Sequence, residues 1–229
     1  MSAVQLRNHK SDLTQDDFEI LSNSSLLEEL ECLMMGDDFV RILTRSAQLS
    51  SSASRSADPE SLLVDLKSFS RRGAFASLLA MESIASVKHR SADNQLIELL
   101  EHPVALVKRH ATWLLGRRNP STSACRTLVE QLAVGGVDSM HAFRTLRRWA
   151  AASPEAINGY LTRALKSTNN GVARARLVDL IGSAEDSTEL LVRLAADSGE
   201  ALAARISAVG ALGERPSSNS QATLARLAC

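Results

Sequence analysis

The chain has 229 residues, 45% of them hydrophobic, which is enough to bury a core as one domain or one continuous array. Only 3% of the residues are aromatic, while Ala, Leu and Ser dominate, and this composition favours an all-α protein over a β-sandwich. The 26 basic and 26 acidic side chains give zero formal net charge, which argues against a nucleic-acid coat protein and makes nucleic acid an unexpected partner.

The charges are distributed unevenly along the chain. Residues 1–60 carry 11 acidic and 5 basic side chains, residues 61–149 carry 7 and 13, and residues 150–229 carry 8 of each. The basic middle part therefore allows a local cationic surface in a neutral protein.

The lack of recognisable targeting signals predicts a cytoplasmic protein without a membrane span. No apolar stretch approaches the ~20 residues that a membrane helix needs, and the N-terminus lacks the apolar core of a signal peptide. Cys32, Cys125 and Cys229 have no metal-binding spacing, so we expect reduced thiols. Cys32 and Cys125 are predicted to be buried as small apolar residues.

The N-terminal quarter divides into three predicted parts. Residues 1–16 are polar and aperiodic, which is typical of disorder. Residues 17–49 are predicted to form a helical cap, in which the capping-box spacing of Ser25 and Glu28 starts a helix that ends near Gly36, and a second helix covers 38–49. Residues 50–57, SSSASRSA, are predicted to be a flexible loop.

Residues 58–229 read as repeated helix pairs. Asp58 and Pro59 supply an N-cap and a first-turn residue, and they predict a helix whose partner runs from about Arg72 to Val87. The clearest unit is 96–116, LIELLEHPVALVKRHATWLLG, in which an apolar run is followed by a second helix ending at Gly116. One face of that second helix has apolar residues at offsets 0, 4, 7 and 8, namely Val107, Ala111, Leu114 and Leu115.

Further pairs are predicted at 122–132 with 137–151, 153–166 with 171–182, and 187–196 with 200–213. Gly182 follows Gly116 by 66 residues, and Gly213 follows Gly182 by 31. A period of about 30–35 residues built from helix pairs is typical of an α-solenoid, whose units are stable only when stacked. We therefore expect about five pairs after the cap, with 219–229 as an unpaired helix that either ends the array or indicates truncation.

Three of these units resemble the short bacterial HEAT repeat, including the HEAT-like repeats of phycobilin lyases. The family has Val-Arg, then Ala, then Ala-Leu-Gly on its second helix, and the matches lie in EHPVALVKRHATWLLG, GVARARLVDLIG and ALAARISAVGALG. The sequence departs from the pattern at His102, where the family has a turn Asp, and at Ser77, where it has a basic residue. The resemblance covers about 58–229 and implies an architecture, in which second helices line a concave surface, but no particular activity.

In the geometry that the resemblance implies, a mainly cationic strip of second-helix residues faces the groove and forms the predicted binding surface. This strip suits an acidic surface of a protein partner or of a fused domain. Its members are Arg109, His110, Trp113, Arg117, Arg144, Arg148, Arg176 and Asp179. The recurring basic residues Lys108, Arg174 and Arg205 are instead predicted to form a structural ladder of salt bridges and carbonyl contacts between repeats.

The favoured interpretation is a non-catalytic scaffold with no catalytic residues, metal or cofactor. The five histidines form no HExxH motif, and no phosphate-binding glycine loop is present. The alternative is a component of an enzyme, either the accessory N-terminal part of a larger enzyme such as a transferase or a lyase that handles a bilin. A minor alternative is a HEAT-like DNA glycosylase, which needs an aromatic cleft with a carboxylate and a strongly basic face.

Overall fold

The computed structural model describes residues 22–35, 39–136, 138–183, 187–214 and 218–227. Within these ranges the chain is all-α, as predicted, with thirteen α-helices and no strand. The helices are α1 Asn23–Met34, α2 Phe39–Ala53, α3 Pro59–Ser70, α4 Ala74–Ser86, α5 Ser91–Glu98, α6 Ala105–Arg117, α7 Thr122–Val134, α8 Ser139–Ala152, α9 Pro154–Ser167, α10 Gly171–Ile181, α11 Thr188–Ala196, α12 Leu202–Gly213 and α13 Ser218–Leu227. A 3₁₀ turn, Leu99–Glu101, follows α5.

Side-chain caps explain where two of the N-terminal helices begin. The Asp58 carboxylate accepts a hydrogen bond from the Ser61 amide at 3.0 Å, with Pro59 in the first turn, so the predicted start of α3 is confirmed. In α1 the Ser22 hydroxyl accepts from the Ser25 amide at 3.2 Å. Ser22 is therefore the N-cap, and the predicted start at Ser25 is wrong because an equivalent hydroxyl lies three residues earlier.

The Ser-rich segment is partly helical, so the predicted loop is wrong over residues 50–53. α2 continues to Ala53, which is buried. The Ser50 hydroxyl donates to the Glu82 carbonyl at 3.2 Å and lies 2.9 Å from the Ser86 hydroxyl, so α4 stabilises this extension. The predicted disordered segment 1–16 lies outside the described residues.

The helices contact one another as successive pairs. α1 contacts α2, α3 contacts α4, and the same holds for each pair up to α11 with α12. Each even-numbered helix also contacts the next one, from α2 through to α12. One apolar core receives residues from each of the helices α1 to α12, including the four apolar residues predicted for α6. We refer to the even-numbered helices as second helices.

Neighbouring second helices run side by side in the same direction. In α2 with α4, α6 with α8 and α10 with α12, the contacts follow the same order along both helices: Ser46 with Leu79 and then Ser50 with Glu82, Thr112 with Thr145 and then Gly116 with Arg148, Gly171 with Ala201 and then Gly182 with Ala211. The N-terminal ends of these helices are consequently neighbours at one edge of the molecule.

Gly116 and Gly182 permit this close approach, and the predicted C-cap role of Gly116 is wrong. α6 continues to Arg117, and neither glycine has a positive φ. A Cβ at Gly116 would lie 3.0 Å from the Thr145 hydroxyl, and one at Gly182 would lie 2.7 Å from the Ala211 side chain. Gly135 has the conformational role instead, because its φ of 85° ends α7.

Candidate functional site

Four side chains from α4 and α6 form a compact group, which we call the Trp113 cluster: Glu82, His110, Trp113 and Arg117. Trp113 is 46% exposed, as predicted, and stacks on His110 with ring centroids 5.5 Å apart and an interplanar angle of 19°. The Arg117 guanidinium carbon lies 4.8 Å from the indole centroid, a cation–π distance. The cluster therefore presents a partly exposed aromatic ring framed by basic groups.

Glu82 anchors this cluster and was not predicted. Its carboxylate oxygens lie 3.2 Å from His110 Nε2 and 3.6 Å from Arg117 Nη1. Because Glu82 belongs to α4, 28 residues before His110, no local pattern in the sequence connects them. The carboxylate restrains two side chains of the predicted strip and offsets part of the positive charge of Arg117.

Arg109 of α6 and Arg144 of α8 are exposed cations of the strip, and like Arg148 they form no ion pair with a described acidic side chain. Both act on His141, whose pKa is lowered by partial burial and then by the positive charges of Arg109 and Arg144, against the opposing effect of Asp138. The positive charges of Arg109 and Arg144 and the carboxylate of Asp138 therefore all act on the same imidazole at the start of α8.

The other predicted strip residues differ in their contacts. Arg148 is exposed and donates to the Gly116 carbonyl at 3.4 Å. Arg176 is only partly exposed and donates to the Ser139 hydroxyl at 2.6 Å. Asp179 is exposed and forms no ion pair within the described part of the chain. The strip is thus most cationic at α6 and α8, where Arg109 and Arg144 lie.

The predicted ladder residues contact neighbouring helices. Arg174 donates to the Leu165 carbonyl at 2.5 Å and to the Thr168 carbonyl at 2.8 Å, and its guanidinium binds the carboxylate of Glu200. That hydrogen bond lowers the pKa of Glu200. Lys108 Nζ lies 3.9 Å from Asp138, and Arg205 donates to the Ala195 carbonyl at 3.3 Å.

No family model, curated protein or solved structure matches this chain. The resemblance to HEAT repeats therefore stays a prediction, and the functional argument depends on the molecule's own geometry.

An open groove of about 530 Å³ lies beside the Trp113 cluster, between α2 and α4. Glu82 lines both features, and serine hydroxyls dominate the rest of the groove. Its lining residues are Leu43, Ser46, Ala47, Ser50, Ser51, Ser54, Glu82 and Ser86. The second-helix surface therefore changes from hydroxyl-rich at α2 to cationic at α6 and α8.

The cysteines differ in their environment. Cys125 is buried as predicted, and burial raises the pKa of its thiol to about 11, so the thiolate is scarce at neutral pH. Cys32 is exposed, and its predicted burial is wrong because it lies on the outer side of α1, opposite Leu27 and Leu30. Cys229 lies outside the described residues.

Among the described residues, no group of three or more His, Cys, Asp or Glu side chains could hold a metal ion. Within the same ranges, no helix is both long and apolar enough to cross a bilayer.

Proposed function

We propose that the chain is an α-solenoid of HEAT-like helix pairs that acts as a non-catalytic scaffold. The contact pattern supports this, because each second helix packs on its own partner and on the next second helix. Parallel, side-by-side second helices create one extended surface, which is the usual binding surface of a repeat protein.

We further propose that this surface binds an acidic segment of a protein partner or of a fused domain. The observation that carries the proposal is the pair of exposed guanidinium groups of Arg109 and Arg144, which form no ion pair in the described structure, with Arg109 one helical turn before the exposed ring of Trp113. An anionic partner supplies the carboxylates that these guanidinium groups lack and accepts bidentate hydrogen bonds from them. Aromatic and arginine side chains are also the residue types enriched at binding hot spots.

The test compares three immobilised forms of the protein in an extract of its native cytoplasm. Arg109→Glu/Arg144→Glu reverses the cationic region. Arg126→Glu/Arg163→Glu makes the same change of charge on α7 and α9, where both arginines are exposed. We expect the wild type and the control variant to retain the same partner protein and to release it at raised salt. The Arg109→Glu/Arg144→Glu variant should not retain that protein.

The melting temperatures of all three forms should agree, because the substituted side chains carry no buried contact. Identical sets of retained proteins on all three forms would refute the proposed surface.

A further inference from the structure

Large apolar side chains are exposed mainly on the second helices. Each of the six begins with one, at its first or second residue, and these residues form what we call the apolar row. With their exposed fractions they are Val40 (67%), Phe75 (40%), Leu106 (58%), Met140 (37%), Val172 (59%) and Leu202 (69%). On the first helices and loops, the described residues of this kind are scattered, namely Met35, Val64, Val104 and Val134.

The apolar row is not needed to form the core. The core contacts at the start of these helices are made by neighbouring residues such as Val107, Ala142 and Ala173, which are at most 1% exposed. An isolated exposed apolar residue needs no explanation. Its recurrence at the same place in successive helices creates an extended apolar surface, and such surfaces mark interaction sites.

The spacing of the row suits an α-helix as the occupant. Packed helices lie about 8–10 Å apart, so that distance is the lateral step from one row member to the next. In a helix lying across them, two residues seven apart are on one face and about 10.5 Å apart. An extended segment places same-side residues about 6.6 or 13 Å apart, and neither value fits.

Cations flank the row on the same faces of the same helices. Arg109 follows Leu106 by three residues, and Arg144 follows Met140 by four, which are the spacings of neighbours on a helix surface. Arg176 follows Val172 by four. An occupant therefore meets apolar side chains along one edge and guanidinium groups along the other.

We propose that the occupant is an acidic amphipathic α-helix lying across α6, α8 and α10. Its heptad-spaced apolar side chains pack on Leu106, Met140 and Val172, and its carboxylates face Arg109 and Arg144. This inference rests on the proposed function and specifies the class of segment that is bound.

The test uses three fluorescein-labelled synthetic peptides of 21 residues, a length that spans about 31 Å as a helix. The first has Leu at every seventh position with Glu on the flanking positions. The second has the same composition with its three Leu residues spaced five positions apart, and the third replaces Glu by Lys. In fluorescence anisotropy titrations we expect the first peptide to bind at least about tenfold more tightly than the other two.

Matched protein variants separate the apolar row from general surface effects. Leu106→Ser/Val172→Ser should weaken binding of the first peptide about tenfold and leave the second unchanged. Val64→Ser/Val134→Ser removes two exposed apolar side chains from α3 and α7. This control variant should bind both peptides with the affinity of the wild type.

Equal affinity for the first and second peptides, with both lost in Arg109→Glu/Arg144→Glu, would overturn this inference and leave the cationic surface standing. Affinities unaffected by either set of variants would overturn both proposals. Light scattering could instead show that the wild type is a dimer and that Leu106→Ser/Val172→Ser is a monomer. That result would assign the apolar row to contact with a second copy of the chain and would overturn the proposed peptide helix.

Discussion

Arg118 is the side chain whose removal should destabilise the fold most clearly. Its guanidinium donates to Asp93 at 2.5 Å and to the carbonyls of Ala85, Val87 and His89 at 2.6, 3.0 and 3.1 Å. It therefore satisfies the C-terminal end of α4 and neutralises a carboxylate in the first turn of α5. The Arg118 side chain is 17% exposed and that of Asp93 is 9% exposed.

Arg118→Ala leaves the Asp93 carboxylate and three carbonyl groups without this donor in a largely dry site. Breaking a buried ion pair by removing one partner costs about 3–5 kcal/mol, because the remaining charge stays buried and uncompensated. The free energy of unfolding of a small protein is about 5–15 kcal/mol, so this loss is a large fraction of the total stability. We expect the urea midpoint to fall accordingly.

Urea unfolding monitored by circular dichroism measures this loss of stability. Arg126→Ala is the control, because that arginine is exposed on α7. The double variant Asp93→Asn/Arg118→Met should be less destabilised than Arg118→Ala, since no unpaired charge remains. A loss below about 1 kcal/mol in Arg118→Ala, the value of an exposed pair, would refute this account of the site.

Two further predictions concern packing and pH. Gly116→Ala should lower the free energy of unfolding by about 1–3 kcal/mol, because the new Cβ would lie 3.0 Å from the Thr145 hydroxyl. Gly159→Ala, whose new Cβ would have no atom within 4 Å, should instead stabilise α9 by about 0.5–1 kcal/mol. The urea midpoints of the two variants test this difference, and equal shifts would contradict the packing argument. Since the Arg174 hydrogen bond lowers the pKa of Glu200 in the folded state, the stability that Glu200 contributes is complete above its unfolded pKa of about 4.3 and disappears as pH falls through the lower folded value. Wild type and Glu200→Gln should therefore differ most at pH 7 and converge in acid, and a pH-independent difference would argue against this linkage.

The apolar period determines which segments become helices, and this part of the fold was predictable. Val107, Ala111, Leu114 and Leu115 lie on one face in the sequence, and all four are at most 1% exposed in the structure. Helix ends were harder to predict, because several hydroxyls compete for one capping position. Ser22 caps α1 in place of Ser25, and packing against α4 extends α2 into a serine run that reads as a loop.

The contacts that stabilise the fold and the candidate site join residues far apart in the chain. Arg118 and Asp93 are 25 residues apart, and His110 and Glu82 are 28 apart, so neither pairing has a local pattern. The repeat geometry implied by the resemblance did predict that Trp113 lies on the surface, because that prediction requires only the orientation of one helix. A sequence therefore indicates which side chains leave the core, while the packing of successive pairs decides which of them meet.

The apolar row shows why that distinction matters for function. The apolar face predicted for α6 begins at Val107 and leaves Leu106 without a role, so only polar and aromatic residues such as Arg109 and Trp113 indicated a surface. Burial separates the two groups, because Val107 is buried while its neighbour Leu106 is 58% exposed. The fold requires a buried side chain at the position of Val107 and permits almost any residue at the position of Leu106. An apolar residue that recurs where the fold permits any residue needs another cause, and burial by a bound helix supplies one.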